Sequence, residues 1–429
     1  MPFASSRHKA PNTSISNPMT DSIADRFQRA RQFTEQLVQP LSAEDCMIQS
    51  MDDASPTRWH LAHTTWFFET FILREQADYS EFDPQFNYLF NSYYNTIGEQ
   101  FPRSQRGLLS RPGLQQILEY RDHVNQQLIQ RLEHPEFLTQ YERLLEIGIQ
   151  HEQQHQELIL TDIKHALSCN PTWPKFHDLP LDTTSRNTPS EPITIDEGLY
   201  EIGHFGPGFA FDNESPRHQA FLHQCTVSSS LVTCGEYLEF MEAGGYQRPE
   251  YWLSMGWAAI QQQGWQSPMY WLNVDDQPMQ FTLGGLLPLN LDAPVTHVSF
   301  FEADAYARWC GKRLPTEFEW EVAASQTSIA DNDPFVDWFV DQGLAIHPTC
   351  SPSGFCGSVW QWTASSYLGY PGYRPPAGAV GEYNGKFMCD QHVLRGGSVA
   401  TQRSHIRPTY RNFFPAATRW QFSGIRLAD

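Results

Sequence analysis

His151 and His155, in the run His151-Glu152-Gln153-Gln154-His155, stand four residues apart. On a helix that spacing puts both imidazoles on one face, a turn apart, where they can meet one metal ion. Pairs at this spacing also occur on solvated helix surfaces, so the pattern needs a further ligand. The run Arg58-Trp59-His60-Leu61-Ala62-His63-Thr64-Thr65-Trp66-Phe67-Phe68-Glu69 offers one, because it sets two histidines in a very apolar stretch. A histidine buried there must find a hydrogen-bond partner or a metal. His63 shares a helix face with Trp59, Trp66 and Thr70, and His60 with Thr64 and Phe67, so periodicity leaves open which of them joins the pair. Three neutral imidazoles leave a divalent ion's charge uncompensated and coordination positions free. That favours an anionic ligand such as a thiolate, with room for dioxygen or water beside it. Zinc in such a site fits a hydrolase or thiol transferase, and iron(II) fits oxygen chemistry. Ligand type alone does not choose.

The elements that must carry these residues are helices. Residues 23–168 hold few glycines, and four helical stretches are expected: Ile23 to Gln39, Pro56 to Glu75 with its proline suited to a first turn, Pro112 to Glu133, and Leu138 to Leu167. Helices of this length form a bundle, and bundles build metal sites from facing helices. Pro171, Pro174, Pro180, Pro189 and Pro192 mark residues 169–192 as a linker. Residues 193–429 are rich in Gly, Trp and Tyr. Short strand-like runs (Leu199 to Ile202, Val393 to Arg395) and helices near Thr233 to Ala243 and Phe301 to Cys310 make this a loop-rich α+β domain. Residues 1–22, polar and rich in Ser, Pro and Asn, read as a loose tail without the apolar stretch of a signal peptide.

Composition narrows the function. The 29 Lys+Arg against 49 Asp+Glu give a net charge of −20, which argues against nucleic acid because phosphate binding needs a basic face. No run of about eighteen apolar residues is present, so no membrane span is expected. The eight cysteines are scattered and form no CxxC pair, as in a reduced, cytoplasmic protein. A small-molecule substrate or a protein partner fits better.

With these motifs in place, the chain resembles the ergothioneine-biosynthesis sulfoxide synthases over nearly its whole length. Trp59-His60-Leu61-Ala62-His63 and His151-Glu152-Gln153-Gln154-His155 are similar to the iron motifs of that family's DinB-like four-helix bundle. The resemblance implies His63, His151 and His155 as the ligands of Fe(II). The second half resembles the formylglycine-generating or sulfatase-modifying fold, a C-type-lectin-like architecture. It does so through Pro294-Val295-Thr296-His297-Val298-Ser299, the run Lys312 to Glu321, Gly357-Ser358-Val359-Trp360-Gln361-Trp362, Leu394-Arg395-Gly396-Gly397-Ser398 and Phe422-Ser423-Gly424-Ile425-Arg426. Fold does not carry activity across. Formylglycine-generating enzymes use cysteines near their C-terminus, and no cysteine follows Cys389 here, so protein-cysteine oxidation is rejected.

The resemblance implies an Fe(II)- and O2-dependent reaction that joins a thiol sulfur to C2 of the hercynine imidazole and leaves a sulfoxide. It implies that Gln154 and Asn412 contact hercynine, with Phe413 and Phe414 beside Asn412. Two guanidiniums three residues apart, Arg103 and Arg106, can clamp one carboxylate, and the resemblance makes it the thiol substrate's. Members that use γ-glutamylcysteine have an acidic residue two positions after the asparagine. Phe414 stands there and cannot pair with a glutamyl amine, so cysteine is the expected sulfur donor and γ-glutamylcysteine the alternative. The reaction needs a proton donor, and a phenol can serve. Tyr93 and Tyr94, on the loop between the iron helix and the arginines, are the candidates, with Tyr383 and Tyr410 as competitors. A zinc-dependent thiol transferase or hydrolase on the bundle alone is the rival class.

Overall fold

A computed structural model describes residues 21–182, 191–327, 335–348 and 354–429. The expected tail falls outside the described residues up to position 20, and so do residues 183–190 of the expected linker.

The bundle helices are α1 (Ile23–Val38), α2 (Thr57–Phe71), α3 (Leu114–Leu132) and α4 (Pro135–Ser168). Ser22 and Asp25 cap α1 reciprocally, each side chain taking a backbone N–H of the other. α4 begins a turn earlier than the apolar pattern indicated, because Pro135 occupies a first-turn position where its missing N–H costs nothing. Conversely α2 stops at Phe71, and the expected stretch to Glu75 finishes as a separate 3-10 turn, Leu73–Glu75.

Helix α2 is buried from Thr57 to Thr70 and is the central element, as expected of a helix apolar on every side. It packs on α3 and α4, and α1 packs on α4. The 34 residues of α4 make it about 51 Å long, longer than its partners. Its last turns leave the bundle, and Leu160, Ile163 and Leu167 join an apolar cluster with Phe281, Phe339 and Phe422 of the second half. One helix therefore carries the histidine pair and enters both halves of the molecule.

The second half holds short sheets between long loops. Its central sheet has β1 (Trp360–Ser366), β2 (Gln391–Arg395), β3 (Asn412–Pro415) and β4 (Ser423–Gly424) in the order β3-β2-β1-β4. All pairs are antiparallel except β4 with β1. Strand pairs Gly198–Ile202 with His218–Leu222 and a three-stranded meander, Trp271–Val274 to Gly285–Pro288, lie outside it. Three helices carry capping boxes: α5 (Cys234–Glu242), α6 (Phe300–Trp309) and α7 (Glu317–Ser325). The helices expected near Thr233 and Phe301 agree with α5 and α6. The strand-like runs at Leu199 and Val393 fall in strands. In the sequence, α7 overlaps the family-like run Lys312 to Glu321. From it, Glu317 meets Arg395 at 2.9 Å and Arg411 at 2.8 Å, a buried ion cluster that ties α7 to β2 and to the residue before β3.

Candidate metal centre

α2 and α4 bring three histidines to one point. One ring nitrogen each of His63, His151 and His155 lies within 4.8 Å of the others, and all three residues are buried. The ring centroids are 4.5–4.9 Å apart. Trp59 stacks on His63 at 4.5 Å and Trp66 at 5.6 Å. His63 Nδ1–H donates to the Phe90 carbonyl at 2.6 Å, which leaves Nε2 as a bare, partnerless acceptor. Neither nitrogen of His151 has a hydrogen-bond partner. Burial holds His63 and His155 well below the usual histidine pKa and His151 down to about 3. The cluster is thus neutral, with buried lone pairs facing inward. Leaving such groups unsatisfied is costly, and a divalent ion satisfies them. The residues present fit a metal.

His60, the histidine that periodicity could not separate from His63, is outside the cluster. Its Nδ1 is 2.8 Å from His155 Nδ1 and its Nε2 is 3.1 Å from Asp162 Oδ2. Glu152, beside His151, points the other way. It is fully buried, meets Arg31 at 2.7 Å and pairs with Arg121, and accepts from Thr34 Oγ1 at 2.7 Å. Burial raises its pKa, but the guanidiniums of Arg121 and Arg31 outweigh it and bring the carboxyl to about 2. This cluster locks α4 to α1 and α3, which fixes the rotation of the helix and so the direction of His151 and His155. No local spacing singles out Glu152, because its partners Arg31 and Arg121 lie on other helices.

Gln154, half-buried between the two α4 ligand candidates, is held by both halves of the molecule. Its Nε2–H donates to Tyr410 Oη at 2.6 Å, and Tyr383 Oη donates to its Oε1. His405 supports Tyr410, with Nε2 at 3.1 Å from the hydroxyl and Nδ1 at 2.6 Å from Gln150 Oε1.

The tyrosines fall in a different order from the expected one. Among the described residues, Tyr383 is the tyrosine whose ring touches a cluster histidine, His151, at 5.7 Å. Tyr93 lies one ring further out, 6.4 Å from Tyr383, and Tyr94 is fully buried against Trp66 and Phe71. Burial raises the Tyr383 phenol well above its usual pKa, so it keeps its proton. Tyr383 reaches this place because Glu382 takes the N–H groups of Asn95 at 3.1 Å and Thr96 at 3.0 Å from the bundle loop, while Lys386 caps the Tyr93 carbonyl. No local pattern announces such a contact across almost three hundred residues of chain.

Of the two arginines, Arg106 faces inward and Arg103 is exposed, its guanidinium on the Asp53 carbonyl. Arg106 lies over the Trp59 ring at 3.4 Å and donates to Ser55 Oγ at 2.9 Å and Ser92 Oγ at 3.3 Å. No ion pair to a carboxylate is formed by Arg106 among the described residues, and its Nε has no partner. Asn412 and Phe414 share one face of β3, and Phe413 the other. Asn412 Oδ1 takes the Phe413 N–H at 2.9 Å, Phe414 meets Trp420 at 6.0 Å, and Phe413 stacks on Tyr367 at 4.0 Å. A cleft of about 2510 Å³ between the two halves is lined by Gln150, Gln153, Phe211 and Tyr383. The three histidines do not line it; Tyr383, whose ring meets His151, does. Among the described residues, no helix is long and apolar enough to cross a membrane.

Residues 26–159 match the DinB superfamily, and residues 179–337 and 352–429 match the sulfatase-modifying factor enzyme 1-like domain. Hercynine oxygenase of Mycolicibacterium smegmatis is 30% identical over 95% of this chain and 98% of that protein. Hercynine oxygenase of Mycolicibacterium thermoresistibile is 28% identical over 97% and 96%. Ergothioneine biosynthesis protein 1 of Schizosaccharomyces pombe is 27% identical over 58% of this chain and 31% of that protein.

Proposed function

The chain belongs to the hercynine oxygenase family, a DinB-like helical part followed by a sulfatase-modifying-like α+β part, and from that premise we propose that it is an oxygen-dependent sulfoxide synthase of ergothioneine biosynthesis. The substrates are hercynine and cysteine, and the metal is non-haem iron(II). One O2 is consumed per turnover. The thiol S–H and the imidazole C2–H give way to a C–S bond and a sulfoxide oxygen, and both hydrogens leave with the second oxygen atom as water. The observation that carries this reading is the buried, neutral cluster of His63, His151 and His155 with its unpaired nitrogens.

Iron(II) held by these three imidazoles would supply oxygen activation and a binding position for the thiolate. The remaining work belongs to the chain. Arg106, a buried guanidinium without a carboxylate of its own, holds the thiol's carboxylate, with Arg103 at the entrance. Gln154 presents its amide to hercynine from a position fixed by Tyr410 and Tyr383, and Asn412 adds a second polar contact. Tyr383, whose ring packs beside His151, holds a proton at Oη and could donate it during turnover; Tyr93 and Tyr94 stand behind it. Phe414, on the same strand face as Asn412, leaves no anion for a glutamyl amine, which favours cysteine over γ-glutamylcysteine. Eight scattered cysteines without a CxxC pair fit a reducing compartment, the cytoplasm.

Oxygen uptake with hercynine and either thiol tests this reading. We expect iron-loaded protein to consume O2 with a higher kcat/KM for cysteine, and zinc-loaded protein to consume none. A preference for γ-glutamylcysteine would contradict the role given to Phe414. Turnover by the zinc form would favour a thiol transferase or hydrolase.

A further inference from the structure

The hydrogen bonds at His155 continue well beyond the three histidines. His155 Nδ1 meets His60 Nδ1 at 2.8 Å, His60 Nε2 meets Asp162 Oδ2 at 3.1 Å, and the same oxygen accepts the Ser55 N–H at 2.8 Å. Ser55 Oγ in turn accepts from Arg106 Nη1 at 2.9 Å. Every member is buried: His155 is 8% exposed, His60 2%, Asp162 5%, Ser55 4% and Arg106 3%. Water therefore does not compete for these bonds.

The geometry sets up one relay: in the tautomer that places a His60 Nε2–H on Asp162 Oδ2, His60 Nδ1 is the acceptor and His155 donates to it from its own Nδ1. That proton assignment leaves His155 Nε2 without a hydrogen and free to bind a metal. If His60 lost this arrangement, His155 would be free to carry its proton on Nε2, the tautomer that cannot ligate through that atom. Histidine ligands held by a second group are oriented and made more basic by it.

We propose that His60 and Asp162 are positioning residues of the metal centre. Asp162 sets the tautomer of His60, His60 sets that of the ligand His155, and Asp162 also fixes, through Ser55, the guanidinium that takes the thiol's carboxylate. This rests on the three-histidine metal reading and adds to it a coupling between the metal and thiol subsites through one carboxylate.

The test is anaerobic titration of the metal-free full-length chain with Co(II), followed by its visible absorption, which reports both affinity and ligand geometry without turnover. His60→Phe, which keeps a ring but no acceptor, should bind Co(II) roughly 10–100-fold more weakly and shift the spectrum. His60→Gln offers an acceptor and a donor again and should lie closer to the parent than His60→Phe. Asp162→Asn should weaken Co(II) binding and raise the KM for the thiol together, whereas His60→Phe should affect the metal more than the thiol. Parent-like affinity and spectrum in His60→Phe would overturn the proposal. Should that variant fail to fold, parent-like affinity in Asp162→Asn overturns it equally. If the parent itself binds no Co(II), the three-histidine reading fails and the relay with it; if the parent binds and the variants match it, only the relay fails.

Discussion

Tyr383 is the residue on which the reading of the chemistry turns. Its ring touches His151, its hydroxyl donates to Gln154, and burial keeps it protonated. Tyr383→Phe preserves the ring and its stacking on Phe211 at 5.4 Å, so folding and metal loading should survive. The rate of sulfoxide formation should fall roughly 10²–10⁴-fold, the usual worth of a positioned proton donor, while Tyr94→Phe changes it far less. Rapid-quench measurement on iron-loaded samples checks this, and an unaltered rate in Tyr383→Phe would return the role to Tyr93 or Tyr94. Local signals in the sequence mark the histidines: His151 and His155 by their spacing, His60 and His63 as two rings in an apolar helix, and only the family resemblance picks His63 from those two. The tyrosine has no such signal. It lies on a loop, and its position depends on Glu382 reaching Asn95 and Thr96, a long-range contact that periodicity cannot express. For the same reason Arg103 and Arg106 looked equivalent in the sequence, though only Arg106 turns inward.

Helix α4 connects the site to the stability of the molecule. Its ends and its burial were legible from apolar spacing, save for the turn that Pro135 adds. The polar groups it buries were not, because their partners lie on other elements. Glu152 is paired with Arg31 and Arg121 from the bundle, and Glu157 accepts from Trp360 Nε1 at 2.7 Å and Ser398 Oγ at 2.6 Å in the second half. Among the described residues, Lys164 has no such anion. It is fully buried, with His297 Nε2 at 2.6 Å and the Tyr270 and Phe422 rings at 4.8 and 4.7 Å, and burial holds its ammonium well below the usual lysine pKa. In the unfolded chain the same group titrates near about 10.4. Between the lowered folded value and that pH, the unfolded state binds the extra proton, so stability rises with pH by up to about 1.4 kcal/mol per unit. Lys164→Met removes this slope. Urea unfolding should show the variant gaining on the parent as pH falls from 9 to 7; a constant difference between the two proteins across that range would contradict the assignment.

At the scale of the whole molecule, the proposed site draws on both halves. In that proposal the bundle gives the histidines and Arg106, and the second half gives Tyr383, Tyr410 and Asn412. Gln154 is the point where they meet, bonded to a tyrosine hydroxyl on either side. A bundle alone would keep the three-histidine cluster but would leave Gln154 unheld and would lack Tyr383, the proposed proton donor. The long second half is hence expected of an oxygen-dependent synthase and unnecessary for a bundle-only thiol transferase. The fold class of both halves was readable from texture and motif: few glycines and long apolar periods first, then Gly, Trp and Tyr with short strands. Their joint surface was not, because it is made of single side chains brought together by the course of α4. The most direct test of the central claim is a single-turnover experiment. Anaerobic protein loaded with Fe(II) is mixed with hercynine, cysteine and O2, quenched, and its product identified by mass spectrometry. The account predicts hercynylcysteine sulfoxide in proportion to bound iron, and none from His151→Ala; the same product from zinc-loaded protein, or from metal-free His151→Ala, would contradict it.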